Sequence, residues 1–131
     1  MSQRYLLMVA AFLGALSVAL GAFGAHGLKS RLAPEQLQVF ETGVRYMFYH
    51  VLAMFLLAVF PNQSEMHYIT YAALFFMAGI LFFSGSLFLL SCRDILGIVS
   101  WKWLGPVTPV GGLFFVLGWI SIMMHAIRMK I

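Results

Sequence analysis

The chain has 131 residues, 63% hydrophobic and 9% charged, with a formal charge of +4. A soluble domain carries about 25% charged and about 45–50% apolar residues, so this composition excludes an ordinary aqueous globular protein. The Lys and Arg residues mostly flank apolar runs and form no stripe, which argues against nucleic acid and for contact with lipid headgroups.

The first apolar run covers 5–25. Arg4 precedes it, and Ala22 and Gly24 stand at cleavage-like positions, so a secretory signal is the competing reading. The run exceeds the usual apolar core of such a signal, about 7–15 residues, and is expected to stay as the first span. Gly27 is placed as a left-handed helix cap. The first connection, 26–43, is the longest and holds Lys29, Arg31, Glu35 and Glu41. Pro34 suits the first turn of a helix, and Leu37 and Phe40 share a face, so a short interfacial helix is predicted over 34–41. Thr42-Gly43 reads as a break, with Thr42 capping the second span.

The second run covers 44–60, and Arg45 near its start is the only full charge in any span. Glu41 and Arg45 are spaced for a helical ion pair, provided that Gly43 leaves the helix intact. Pro61-Asn62-Gln63-Ser64 predicts a turn. The third run covers 68–91. The third connection, 92–103, carries Arg93, Asp94 and Lys102, with Trp101 and Trp103 as interfacial anchors. The fourth run covers 104–127, with Pro106 and Pro109 early, where a missing N–H costs least. Each run is long enough to cross about 30 Å of hydrocarbon at about 1.5 Å per residue. The fold class is therefore all-α: an integral membrane four-helix bundle in a single domain, 1–131, with a short interfacial helix between the first and second spans. Four helices and three connections use the length, leaving no soluble catalytic module.

Four crossings put the first and third connections on one face, called side B here. That face holds Lys29, Arg31, Arg45, Arg93 and Lys102, against Arg4, Arg128 and Lys130 on side A. The positive-inside rule favours a cytoplasmic side B, although the amino-terminal charge narrows the difference.

Small residues recur on the spans: Gly14, Gly21 and Gly24 on the first, Gly85 on the third, and Gly111, Gly112 and Gly118 on the fourth. Lipid supplies no hydrophobic force between helices, so these positions read as surfaces of close backbone approach. Whether some also mediate self-association is open. His26, Thr42, Arg45, Tyr46, His50, Ser84, Ser86 and Thr108 all fall toward side B. They form a candidate polar cluster, with His50 about 8 Å inside Arg45. Polar groups at such depth need partners. His50, Ser84, Ser86 and Thr108 are expected to bond one another, backbone carbonyls or trapped water, while the opposite half is nearly pure hydrocarbon. A neutral, hydrogen-bonded His50 is the simplest reading, with ligand binding or proton handling as the alternative. His26 reads as a polar cap. His26 and His50 would suit the two axial positions of a haem, but nothing else in the spacing requires one, and no cofactor is assigned. His67 reads as a loop residue and His125 as solvated. Cys92 is the lone cysteine, so no internal disulfide or Cys/His metal box exists. Neither a catalytic group nor a metal site is assigned.

Four stretches resemble one family. They are Gly21-Ala22-Phe23-Gly24-Ala25-His26-Gly27, Thr42-Gly43 with Tyr46 and His50, Phe83-Ser84-Gly85-Ser86-Leu87, and Thr108-Pro109 with Gly111-Gly112 and Gly118-Trp119. In this order they resemble small bacterial membrane proteins of domain of unknown function 423, the YgdD-like proteins. That family often has a glutamine directly after the tyrosine of the second span, where this chain has Met47. The resemblance implies four helices in the inner membrane and brings no established activity. The expected role is a non-enzymatic binding or accessory component that meets membrane lipid, a second copy or a partner membrane protein. The alternative is a small oligomeric transporter or channel, which would need polar groups through the full membrane.

Overall fold

A computed structural model describes residues 1–59 and 66–129. Its helices are α1 (Gln3–Phe23), α2 (Pro34–Val59), α3 (Met66–Gly79), α4 (Gly85–Ser91), α5 (Arg93–Leu96) and α6 (Leu104–Arg128). Two π-helical turns, Gly24–Leu28 and Ile80–Ser84, extend α1 and join α3 to α4. Four helical stretches are long and apolar enough to cross a membrane: Gln3–Leu28, Pro34–Val59, His67–Ser91 and Leu104–Arg128. The expected four-helix membrane bundle is thus present. The turn expected at 61–64 lies outside the described residues.

The packing order follows from which faces can approach. α1 lies on α2, α6 lies on α3, and α2 meets the third span through α4 and the preceding π turn. Met54, Ala72, Ala73 and Phe76 are fully buried in the apolar centre. On side A the amino group of Met1 donates to Thr70 Oγ1 at 3.1 Å, and the Arg128 guanidinium lies 5.2 Å from the Tyr68 ring centre. His67 belongs to the first turn of α3 and not to a loop.

The segment 34–41 is helical, as expected, but it runs without interruption into the second span. Pro34 opens the helix, and the Ala33 N–H is held by Gln36 Oε1 at 3.1 Å, which is half of a capping box. Its apolar face does not lie on the membrane surface. Phe40 is buried with Leu28 and Leu32, and its ring centre is 4.9 Å from that of Phe88 on α4. That cluster holds the helix in line with the span. Thr42 is accordingly no cap: its hydroxyl donates to Gln38 O inside the helix. Gly43 is no break either, because it makes room for a neighbour. A Cβ there would lie 2.8 Å from the Phe88 ring. Gly27, expected to be left-handed, lies within the first π turn, and among the described glycines positive φ occurs at Gly97 alone.

The candidate polar cluster

Three hydrogen-bonded tiers replace the single layer. The outermost joins α4 to α6: Ser86 and Thr108 hydroxyls are 2.6 Å apart. Ser86 donates its one proton to Phe83 O at 2.9 Å, so Thr108 is the donor to Ser86. The second tier is Ser84, fully buried, which donates to Gly43 O across the bundle at 2.7 Å. The third is His50, 5% exposed. Its Nδ1 is 2.7 Å from Tyr46 O, and its Nε2 is 3.2 Å from the Trp119 indole nitrogen. Indole only donates, so Nε2 accepts and the Nδ1–H tautomer is assigned.

His50 therefore has both ring nitrogens engaged within the chain. Its ring lies flat on Phe115, 3.6 Å between centres and 6° from parallel, with Phe76 at 5.2 Å. This leaves no lone pair for a haem or metal. Among the described residues no group of three or more His, Cys, Asp and Glu could hold a metal ion.

The depth expected for His50 is corrected. Trp119 is fifteen residues beyond Leu104, and Phe76 is fifteen before Ser91, each about 22 Å from the side-B end of its helix. His50 is at their level, near the middle of the membrane. The sequence estimate counted inward from Arg45, whereas the helix starts at Pro34. His50 and Gly43 are seven residues apart, as are Phe115 and Thr108, so each outer tier lies about 10 Å away along the axes. Rings of Phe83, Tyr46 and Phe115 fill that interval.

The other candidates stand apart. His26 is exposed at the end of the first span. Arg45 is exposed and donates to Thr42 Oγ1 at 3.2 Å, although the intact helix meets the condition set for its pairing with Glu41. Tyr46 is the exception: 41% exposed, it still adjoins the third tier through its carbonyl at His50 and its ring against Phe83. The half toward side A is not purely hydrocarbon: Ser121 and His125 are buried there, the latter against expectation, and Ser17 is buried near the level of His50. Ser17 and Ser121 bond carbonyls of their own helices, Leu13 O and Leu117 O, so they add no tier between helices. Trp119 is the member that sequence reasoning missed; an indole two turns from Gly111 reads as packing until a facing acceptor is known.

The π turn at Ile80–Ser84 sets the register of the first two tiers. It inserts an extra residue into the third span. A Cβ at Gly111 would lie 2.1 Å from Phe83 N, so α6 touches the backbone of this turn. Gly118 makes similar room for the Phe76 ring and Gly24 for Phe40. Gly79, another small residue of the third span, makes room for Phe115. Gly14 and Gly21 are in ordinary contact with Val51 and Val44, Gly112 is near the Phe83 ring, and Gly85 opens outward.

Outward, Gly85 lies between two apolar furrows. One, of about 600 Å³, runs between α1 and the third span over Met47. The other, of about 550 Å³, runs between α4 and the start of α6, with Ser86 and Leu104 in its lining and Trp103 beside it.

The chain is similar in sequence to known proteins. Residues 20–112 match the family described as "Protein of unknown function (DUF423)". The chain is 39% identical over 127 residues to the Bacillus subtilis (strain 168) UPF0382 membrane protein YwdK, covering 96% of this chain and 98% of that one. It is 36% identical over 130 residues to the Escherichia coli (strain K12) UPF0382 inner membrane protein YgdD, covering 99% and 95%. A Staphylococcus aureus UPF0382 membrane protein, SAB0533, is 35% identical over 126 residues, covering 96% and 98%. No solved structure matches.

Proposed function

The chain belongs to the DUF423 family of membrane proteins, and from that premise we propose that it is a non-enzymatic binding component of the bacterial inner membrane. It takes a membrane amphiphile on its lipid-facing surface rather than passing a solute through its interior. One observation carries this reading. The hydrogen-bonding groups of buried His50, Ser84 and Ser86, and of half-buried Thr108, are spent on one another, on Trp119 and on backbone carbonyls. Such satisfied tiers rigidify a frame and leave nothing to handle a solute or a reacting group. The open volume lies outside the frame, in furrows whose occupant in a bilayer is an acyl chain. Both exceed about 300 Å³, the lower end for ligand sites.

A small oligomeric transporter is the second reading. In its favour, buried polar residues recur from Ser86 through His50 to His125, toward both faces. The aromatic interval of about 10 Å between His50 and the two outer tiers weighs against it, because no hydrogen-bonded relay spans such a gap.

Native mass spectrometry of the full chain, gently extracted, tests the proposal. The expected result is a chain carrying bound lipid that is depleted in Gly85→Leu. Gly85 borders both furrows, and a Cβ there has its nearest neighbour at 3.9 Å, so the larger side chain fills the furrow without meeting backbone. A folded wild-type protein that holds no lipid would overturn it. A stable oligomer whose contact is lost in Gly85→Leu would assign the furrows to a second copy and overturn it equally.

A further inference from the structure

We propose that the furrow between α4 and the start of α6 is a site for an anionic phospholipid, with an acyl chain in the furrow and the headgroup held by Arg93 and Lys102. This rests on the amphiphile-binding reading and adds the charge of the ligand. The furrow runs from Leu81 to Leu89, about 12 Å along the third span. One leaflet of hydrocarbon is about 15 Å deep. A chain lying there would therefore emerge at side B beside Trp103. Trp101 and Trp103 stack at that rim, 5.6 Å between ring centres, and both are exposed, as suits rings at headgroup level.

Past Leu104, which lines both spaces, lies a second hollow of about 250 Å³ flanked by Arg93 and Lys102. The two cations are nine positions apart in a closed loop. α5 ends at the left-handed Gly97, Ile98 N–H returns to Arg93 O at 3.0 Å, and Trp101 N–H bonds Ile98 O at 2.9 Å. That folding brings both basic side chains to the same hollow. The two acidic neighbours lie on the α2 side: Asp94 Oδ2 accepts from Gln36 Nε2 at 2.5 Å, and Glu35 borders a separate hollow on the other side of Arg93. The hollow thus presents two exposed positive charges next to an apolar furrow of one leaflet's depth. A phosphate diester with a further negative or neutral polar group fits it, and a quaternary ammonium headgroup does not. The larger furrow, over Met47, has an entirely apolar lining and cannot select a headgroup.

The test uses the full chain in nanodiscs of phosphatidylglycerol and phosphatidylcholine with matched chains, read by native mass spectrometry of the lipid retained on release. Wild type should retain phosphatidylglycerol in excess, by about fivefold for each cation. Arg93→Gln with Lys102→Gln should abolish the excess and leave phosphatidylcholine retention unchanged. Lys29→Gln with Arg31→Gln, which removes the same charge elsewhere on side B, should keep the excess. Lys102→Gln alone, an exposed loop position, carries the test if the double variant does not fold. Equal retention of the two lipids by wild type would overturn the inference while leaving the amphiphile reading in place. So would an equal loss in the Lys29/Arg31 variant, which would make the effect one of overall charge. Absence of any retained lipid would overturn both.

Discussion

The Trp119 indole N–H donates to His50 Nε2 at 3.2 Å and so ties α6 to α2 near the middle of the membrane. Both residues belong to stretches that resemblance had picked out, yet sequence gave no reason to pair them. They are 69 positions apart, and the acceptor faces the donor only because Gly118 lets α6 close on Phe76.

Trp119→Phe keeps the ring against Phe76 and removes the donor. His50 Nε2 is then a buried acceptor without a partner, and the expected cost is about 1 kcal/mol. His50→Phe with Trp119→Phe should cost less than the two single changes summed, since both ends of the bond become apolar. Unfolding in mixed detergent micelles measures the cycle. Strict additivity would show that the bond contributes nothing.

The Ser86–Thr108 bond should behave likewise. Ser86→Ala and Thr108→Val are expected to couple by about 0.6 to 1.7 kcal/mol, the range for interhelical hydrogen bonds in membranes. The coupling should appear between these two and not between Ser86 and His50, which occupy separate tiers. Coupling of Ser86 to His50 of the same size would restore the single layer that the sequence suggested.

Gly111→Ala should be among the most damaging single changes. The added Cβ would meet Phe83 N at 2.1 Å, and a backbone cannot rotate out of the way as a ring can. The expected loss is about 3 kcal/mol or more, at the upper end for overpacking. Gly105→Ala, in open space on the same helix, is the control and should be close to neutral. Thermal unfolding in detergent distinguishes them, and equal effects would show that α6 does not touch the π turn.

The four spans were legible because the need to bury backbone polar groups in lipid leaves a large signal in composition. The tiers were legible only as residue types. Their heights depended on where α2 begins, and the local cue at Thr42-Gly43 pointed to a break. Tertiary contact overrode that cue: Phe40 packs on Phe88, and Gly43 admits the Phe88 ring. A glycine that makes room for a neighbour looks, in one sequence, the same as a glycine that ends a helix. The two π turns left no composition signal at all.

Proteoliposomes bearing the protein should leak protons and potassium at the rate of protein-free liposomes. Thr108, Ser86 and Ser84 are about 10 Å from His50 along the helix axes, and the stacked Phe115 and the Phe83 ring occupy that interval. An ion would have to shed its hydration against aromatic surface with no carbonyl or hydroxyl to replace it, which costs several kcal/mol at the least. Bringing two copies together does not change this, because the tiers lie at helix interfaces within each chain. Flux that rises with protein density and disappears in His50→Ala would overturn the binding reading in favour of transport. A leak unchanged in His50→Ala, with the variant less stable, is the outcome expected of a histidine that serves to hold helices together.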